Sequence, residues 1–93
     1  MNKLFKWKGK MQTKDTIQEM QGELQKTLGI WYVSYEYPGF FVIYGNHGVF
    51  HLGRANDCWG WNDLDGKHSG ETLQIEPVKV VQDFVKWMNA SHK

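Results

Sequence analysis

The chain has little cysteine, little proline and no long apolar run, and each shortage closes off a class of protein. Its single cysteine, Cys58, can neither close an internal disulfide nor build a thiolate metal cage, so a reducing, cytoplasmic setting is expected. The longest uninterrupted apolar stretch runs only from Phe40 to Tyr44, far short of the roughly 20 residues a transmembrane helix needs. Met1 to Lys6 has no apolar h-region, so neither export nor membrane anchoring is expected. A formal net charge of +1 provides no long-range attraction for polyanions. There is no repeat, low-complexity tract or linker in 93 residues, which is one domain's worth of chain.

What charge there is lies at two poles. Lys3, Lys6, Lys8, Lys10 and Lys14 crowd the first fourteen residues without an acid, whereas residues 55–76 hold Asp57, Asp63, Asp65, Glu71 and Glu76 against Lys67 alone. Leu4 to Met11 alternates, with Phe5, Trp7 and Met11 on one parity and lysines on the other, the period of a half-buried strand. Lysines along such an edge strand oppose pairing with other chains.

Two helices are expected. Thr16-Ile17-Gln18-Glu19 fits a capping box, placing a start near Asp15 or Thr16, and Gly29 suits the left-handed position after the end. Ile17, Met20, Leu24 and Leu28 form its narrow apolar seam. A second helix is expected from Pro77 to about Asn89, with Lys79, Gln82, Asp83, Lys86 and Asn89 on one arc and Val78, Val80, Val81, Phe84, Val85, Trp87 and Met88 opposite. Its apolar half makes it the main hydrophobic lid.

Between them, Ile30–Tyr37, Phe40–Tyr44 and Val49–Arg54 flank Pro38-Gly39 and Gly45-Asn46-His47-Gly48, the pattern of an antiparallel meander with even-length loops. That register puts Ile30, Tyr32, Ser34, Phe41, Ile43, Phe50 and Leu52 on one face. Trp31, Val33, Tyr35, Tyr37, Phe40, Val42, Tyr44, Val49 and His51 fall on the other. Cys58 to Asn62 and Glu71 to Ile75 read as a further pair, with Leu73 and Ile75 pointing inward. The expected fold is a single α+β domain over 1–93, an antiparallel sheet of about five strands with two helices packed on one face, in the order β-α-β-β-β-β-β-α.

Catalytic and metal chemistry find little support. His47, His51, Cys58 and His68 with nearby aspartates include metal-ligand residue types, but no pair has zinc-site spacing. Asp63-Leu64-Asp65-Gly66 resembles the opening of a calcium loop, yet aligning its glycine puts Trp61 and Thr72 where carboxylates are required. Cys58 has neither a glycine-flanked elbow nor a helix start beside it in sequence, and Gly45-Asn46-His47-Gly48 lacks phosphate-loop spacing. No catalytic residue, metal or cofactor is expected.

Aromatics are the informative excess, with five Trp, four Tyr and five Phe. Phe41, Phe50 and Phe84 are assigned to the core; the sheet face that the helices leave uncovered still needs a cover or a ligand. The leading expectation is a non-enzymatic binding module. Trp31, Tyr35, Tyr44, Trp59 and Trp61 would wall its site and Asp57, Asp63 and Asp65 would rim it, for a cationic small molecule or a basic protein surface. A second expectation is single-stranded nucleic-acid binding, with bases stacked on the aromatic face and phosphates met by Lys3, Lys6, Lys8 and Lys10; the acidic rim opposes it. A third is a structural homodimer built on the same face. Small size without catalytic motifs also suits an accessory protein of a mobile element, such as an inhibitor that occupies a host protein.

Overall fold

The computed structural model describes residues 13–36, 39–55 and 58–91. Its elements run α1 (Lys14–Gln25), β1 (Ile30–Glu36), β2 (Phe40–Gly45), β3 (Gly48–Ala55), β4 (Cys58–Asp63), β5 (Ser69–Thr72) and α2 (Pro77–Ser91). The five strands form one antiparallel sheet in which every strand pairs with its chain neighbour, order β1-β2-β3-β4-β5. One hydrophobic cluster joins both helices to one sheet face, so the expected α+β layering is present. The expected strand at Leu4–Met11 lies outside the described residues, and the observed order is α-β-β-β-β-β-α.

α1 begins earlier than its sequence implies. Thr13 is the N-cap, with extended φ and ψ of −68° and 158°, and its hydroxyl accepts from the Thr16 amide at 3.2 Å. A threonine oxygen here satisfies one of the backbone donors that a helix start leaves open, so Thr16 becomes a first-turn residue rather than the cap. The helix also ends sooner, at Gln25. Leu28 therefore falls in the following turn and is 95% exposed, while Met20 and Leu24 are buried and Ile17 packs against them. Gly29, at φ 94°, supplies the left-handed residue that re-aims the chain into β1.

α2 matches its helical wheel. Val80, Val81, Phe84 and Met88 are buried, and Lys79, Gln82, Lys86 and Asn89 face solvent. Asp83 is the departure from a purely solvated polar arc, because Thr72 Oγ1 donates to its Oδ2 at 2.6 Å. The same hydroxyl accepts from the Gln74 amide at 3.1 Å, which ties the end of β5 to the helix. Thr72 is consequently the inward residue of this segment. Leu73 and Ile75, expected inside, are instead 91% and 67% exposed because the strand ends at Thr72 before they are reached.

The sheet register explains which side chains reach the core. Phe41 pairs with Leu52 and Leu52 with Trp61, while Ile43 pairs with Phe50. All of these lie beneath the helices, where Phe84 meets Phe50 and Trp61 edge-on, each at 5.7 Å between ring centroids. Residues of opposite parity in these strands, among them Phe40, Val42, Tyr44, Val49 and His51, point to the helix-free face.

β1 departs from the expected register. Glu36 pairs with Phe40, so the paired positions are separated by three residues and not by the two expected between Tyr37 and Phe40. This odd spacing turns Val33 and Tyr35 toward the helices and Tyr32 and Ser34 away from them. A bulge between Ile30 and Tyr32 then inserts Trp31 as an extra residue, returning Ile30 to the core while Trp31 and Tyr32 both stay outside.

Candidate functional site

The bulge gathers a cluster of aromatic rings at the surface. Trp31 and Tyr32, 68% and 57% exposed, flank Tyr44 with ring centroids 6.3 and 5.5 Å from it. Tyr32 pairs with Tyr44 across β1 and β2, and Tyr44 pairs with Val49 across β2 and β3. The ladder continues one residue beyond β4, since the Leu64 amide donates to the Val49 carbonyl at 3.1 Å. Leu64, 59% exposed, thus becomes the cross-strand neighbour of Val49. The result is a continuous row, Tyr32, Tyr44, Val49 and Leu64, crossing four strands on the face opposite the helices, with Trp31 beside its first member.

No charged residue interrupts this row. Deeper along the same face the surface closes: His51 is half-buried, with the Phe40 ring edge-on at 5.1 Å, and burial pushes its pKa below the ordinary histidine value. Asn62, the cross-strand partner of His51, is only 1% exposed and neither atom of its amide has a hydrogen-bond partner. The exposed aromatic side chains of this face therefore lie at its Tyr44 end, while exposed Glu36 and Glu71 lie at the other.

The other residues expected at a site are distributed elsewhere. Trp59 and Trp61 do share a side of β4, but it is the helix-facing side, where both are buried in the core. Their strand parity is fixed by the Leu52–Trp61 and Arg54–Trp59 pairs, which place them opposite the tyrosines they were expected to join. Tyr35 also turns inward and meets Phe41 edge-on at 4.8 Å, because the Glu36–Phe40 register reverses its face. Trp31 and Tyr44 alone of the five expected aromatics come together on the open face. Tyr32, Val49 and Leu64 were not anticipated there; only the Glu36–Phe40 register, the bulge and the extended ladder bring them in.

The acidic rim is not assembled around the aromatics either. Asp57 lies outside the described residues, as do Lys3, Lys6, Lys8 and Lys10, and Asp65 is exposed in the β4–β5 loop. Asp63 organises that loop. Its Oδ1 accepts from the Lys67 and His68 amides at 2.9 and 3.4 Å, and its Oδ2 lies 3.1 Å from His68 Nδ1. Partial burial alone would raise its pKa, but the hydrogen bonds from the His68 ring and from the His68, Lys67 and Gly66 amides together outweigh it and hold the carboxyl below its ordinary value.

The sign of that shift gives a pH prediction. A depressed folded-state pKa stabilises the fold above the unfolded value of about 4, and the contribution disappears as pH falls through the folded value. Asp63→Asn should cost about 1–3 kcal/mol at pH 7, the usual penalty for unmade hydrogen bonds, and much less in strong acid. Urea unfolding of both proteins at the two pH values measures the difference; an equal gap at each would show that ionisation is not what holds the loop.

Among the described residues no group of three His, Cys, Asp or Glu side chains is placed to hold a metal ion, and no helix is long and apolar enough to cross a membrane. Cys58 is half-buried, with Sγ 3.9 Å from Glu71 Oε1. Compared with models of protein families, with curated proteins and with solved structures, the chain matches none.

Proposed function

We propose that this chain is a non-enzymatic interaction module that holds a partner protein against its helix-free sheet face, with Trp31, Tyr32 and Tyr44 at the centre of the contact. The observation that carries this reading is the trio of touching rings, two of them more than half exposed, on a face that neither helix covers. Large aromatic side chains with polar tips are the residues that most often dominate binding energy at protein interfaces. An open row with no enclosing walls suits a protein surface better than a small ligand. Asp63 is engaged in its own loop and adds no acid to the row, so the contact is aromatic and uncharged at its centre.

A photo-crosslinking amino acid placed at Tyr32, with Gln82 on the solvent side of α2 as the control position, tests this in cells expressing the chain. Protein adducts from position 32 that are absent from position 82 are the expected result. Equal adducts from both positions, or nucleic-acid adducts from position 32, would overturn it, the latter in favour of the stacking alternative.

A further inference from the structure

The row Tyr32, Tyr44, Val49 and Leu64 has a shape that narrows the choice of partner, and we infer that it is occupied by a second copy of this chain, docked face to face about a two-fold axis parallel to the strands. This inference rests on the proposed use of the helix-free face for protein contact. Three observations favour a second copy.

The first is relief along the row. Its β1 end is tall, with Trp31 and Tyr32, and its β4 end is low, with Val49 and Leu64. At about 4.8 Å between strands the row spans about 15 Å. Rotation about the two-fold reverses it, so the tall aromatic end of each copy lands on the low aliphatic end of the other. Such self-complementarity is what an isologous dimer interface requires.

The second is charge. The row itself carries none, which matches the charge-poor centre of protein interfaces; the exposed acids of the same face, Glu36 and Glu71, lie four residues along the strands from it, at the rim of such a contact. A chain with a net charge of +1 also has little overall repulsion between copies.

The third is area. Trp31, Tyr32 and Leu64, 68%, 57% and 59% exposed, with half-buried Tyr44 and Val49, offer on the order of 400 Å² of surface, given 150–250 Å² for a large aromatic. A standard interface takes about 800 Å² per partner, a figure that the polar surroundings of the row would complete. An apolar patch of about 400 Å² is the size of the largest patch on a typical monomer, and such patches are often functional.

Sedimentation equilibrium of the purified full chain tests the inference. Wild type at about 100 µM is expected to be dimeric, with a melting temperature that rises with protein concentration as mass action requires. Trp31→Ala and Leu64→Asp should each weaken dimerisation by about 30-fold or more, the hot-spot range, although they alter opposite ends of the row. Leu73→Asp, at a still more exposed residue beyond β5, should leave the dimer intact. A wild-type chain that is monomeric at this concentration overturns the second-copy inference. So does a dimer that survives both row variants. If the chain is monomeric but position 32 still crosslinks to another protein, the interaction face stands and only the identity of its occupant falls; no adduct at all removes both.

Discussion

Phe84→Ala should lower the stability of this protein by about 3–5 kcal/mol, the usual cost of truncating a fully buried aromatic. Phe84 is completely buried where α2 crosses the sheet, with Phe50 and Trp61 edge-on and Trp87 stacked at 6.2 Å. Removing its ring opens a cavity between the two layers, and Phe50 and Trp61 cannot both collapse into it because each is anchored in its own strand. For a domain of this size a loss of 1 kcal/mol lowers the melting temperature by roughly 4–8 °C, so a fall of about 12 °C or more is expected. Trp61→Ala belongs to the same group. Trp31→Ala, by contrast, should leave the unfolding of the monomer nearly unchanged. Calorimetry on the three variants at low concentration separates these behaviours, and a change of less than about 1 kcal/mol for Phe84→Ala would mean that the core is not packed as described.

Gly45→Ala is the second large effect, and it works through the backbone. A Cβ at position 45 would collide with the Gly29 carbonyl oxygen, the acceptor of a 2.8 Å hydrogen bond from the Asn46 amide. Backbone on both sides leaves no flexible side chain to yield, so β1 and the β2–β3 turn must separate at the point where Ile30 pairs with Gly45. A loss of about 2–4 kcal/mol is expected from overpacking together with the broken bond. Gly22→Ala should have the opposite sign. It is an exposed α1 residue with nothing within 4 Å of an added Cβ, and replacing a helical glycine contributes about 0.5–1 kcal/mol. Denaturant midpoints that moved in the same direction for both variants would contradict the steric account.

The sequence carried α2 well, because its charged arc and apolar half-turn are separated by the helical period, and it carried the β2–β3 pairing, because Gly45 to Gly48 admits a two-residue turn. It carried β1 poorly. The alternation of Ile30 to Tyr35 is apolar on both parities, so nothing in the residues themselves chose a face; the Glu36–Phe40 register and the extra residue at Trp31 did. For the same reason Trp59 and Trp61 were legible as neighbours but not as core, since strand parity shows which residues share a side without showing which side the helices cover. Thr13 was hidden behind Thr16, because both threonines offer a hydroxyl near the same helix start and only one satisfies the open amide. The exposed aromatic row depends on all of these choices together, which is why Trp31 and Tyr44 were recognised as candidates while Tyr32, Val49 and Leu64 were not.

The meander order has a kinetic consequence. With every strand beside its chain neighbour, the sheet can zip up hairpin by hairpin over short loops, and local contacts of this kind favour rapid folding. The lid is different. Phe84 and Met88 join Met20 and Leu24 in one cluster only across the entire meander, so closing the two layers is the longest-range event in the fold. During synthesis the strands emerge before α2, leaving Phe50 and Trp61 without the cover of Phe84 until that helix follows. The interval between sheet assembly and lid arrival is thus when a nascent chain is most exposed to aggregation, and a slower final helix would lengthen it without changing the stability of the finished fold.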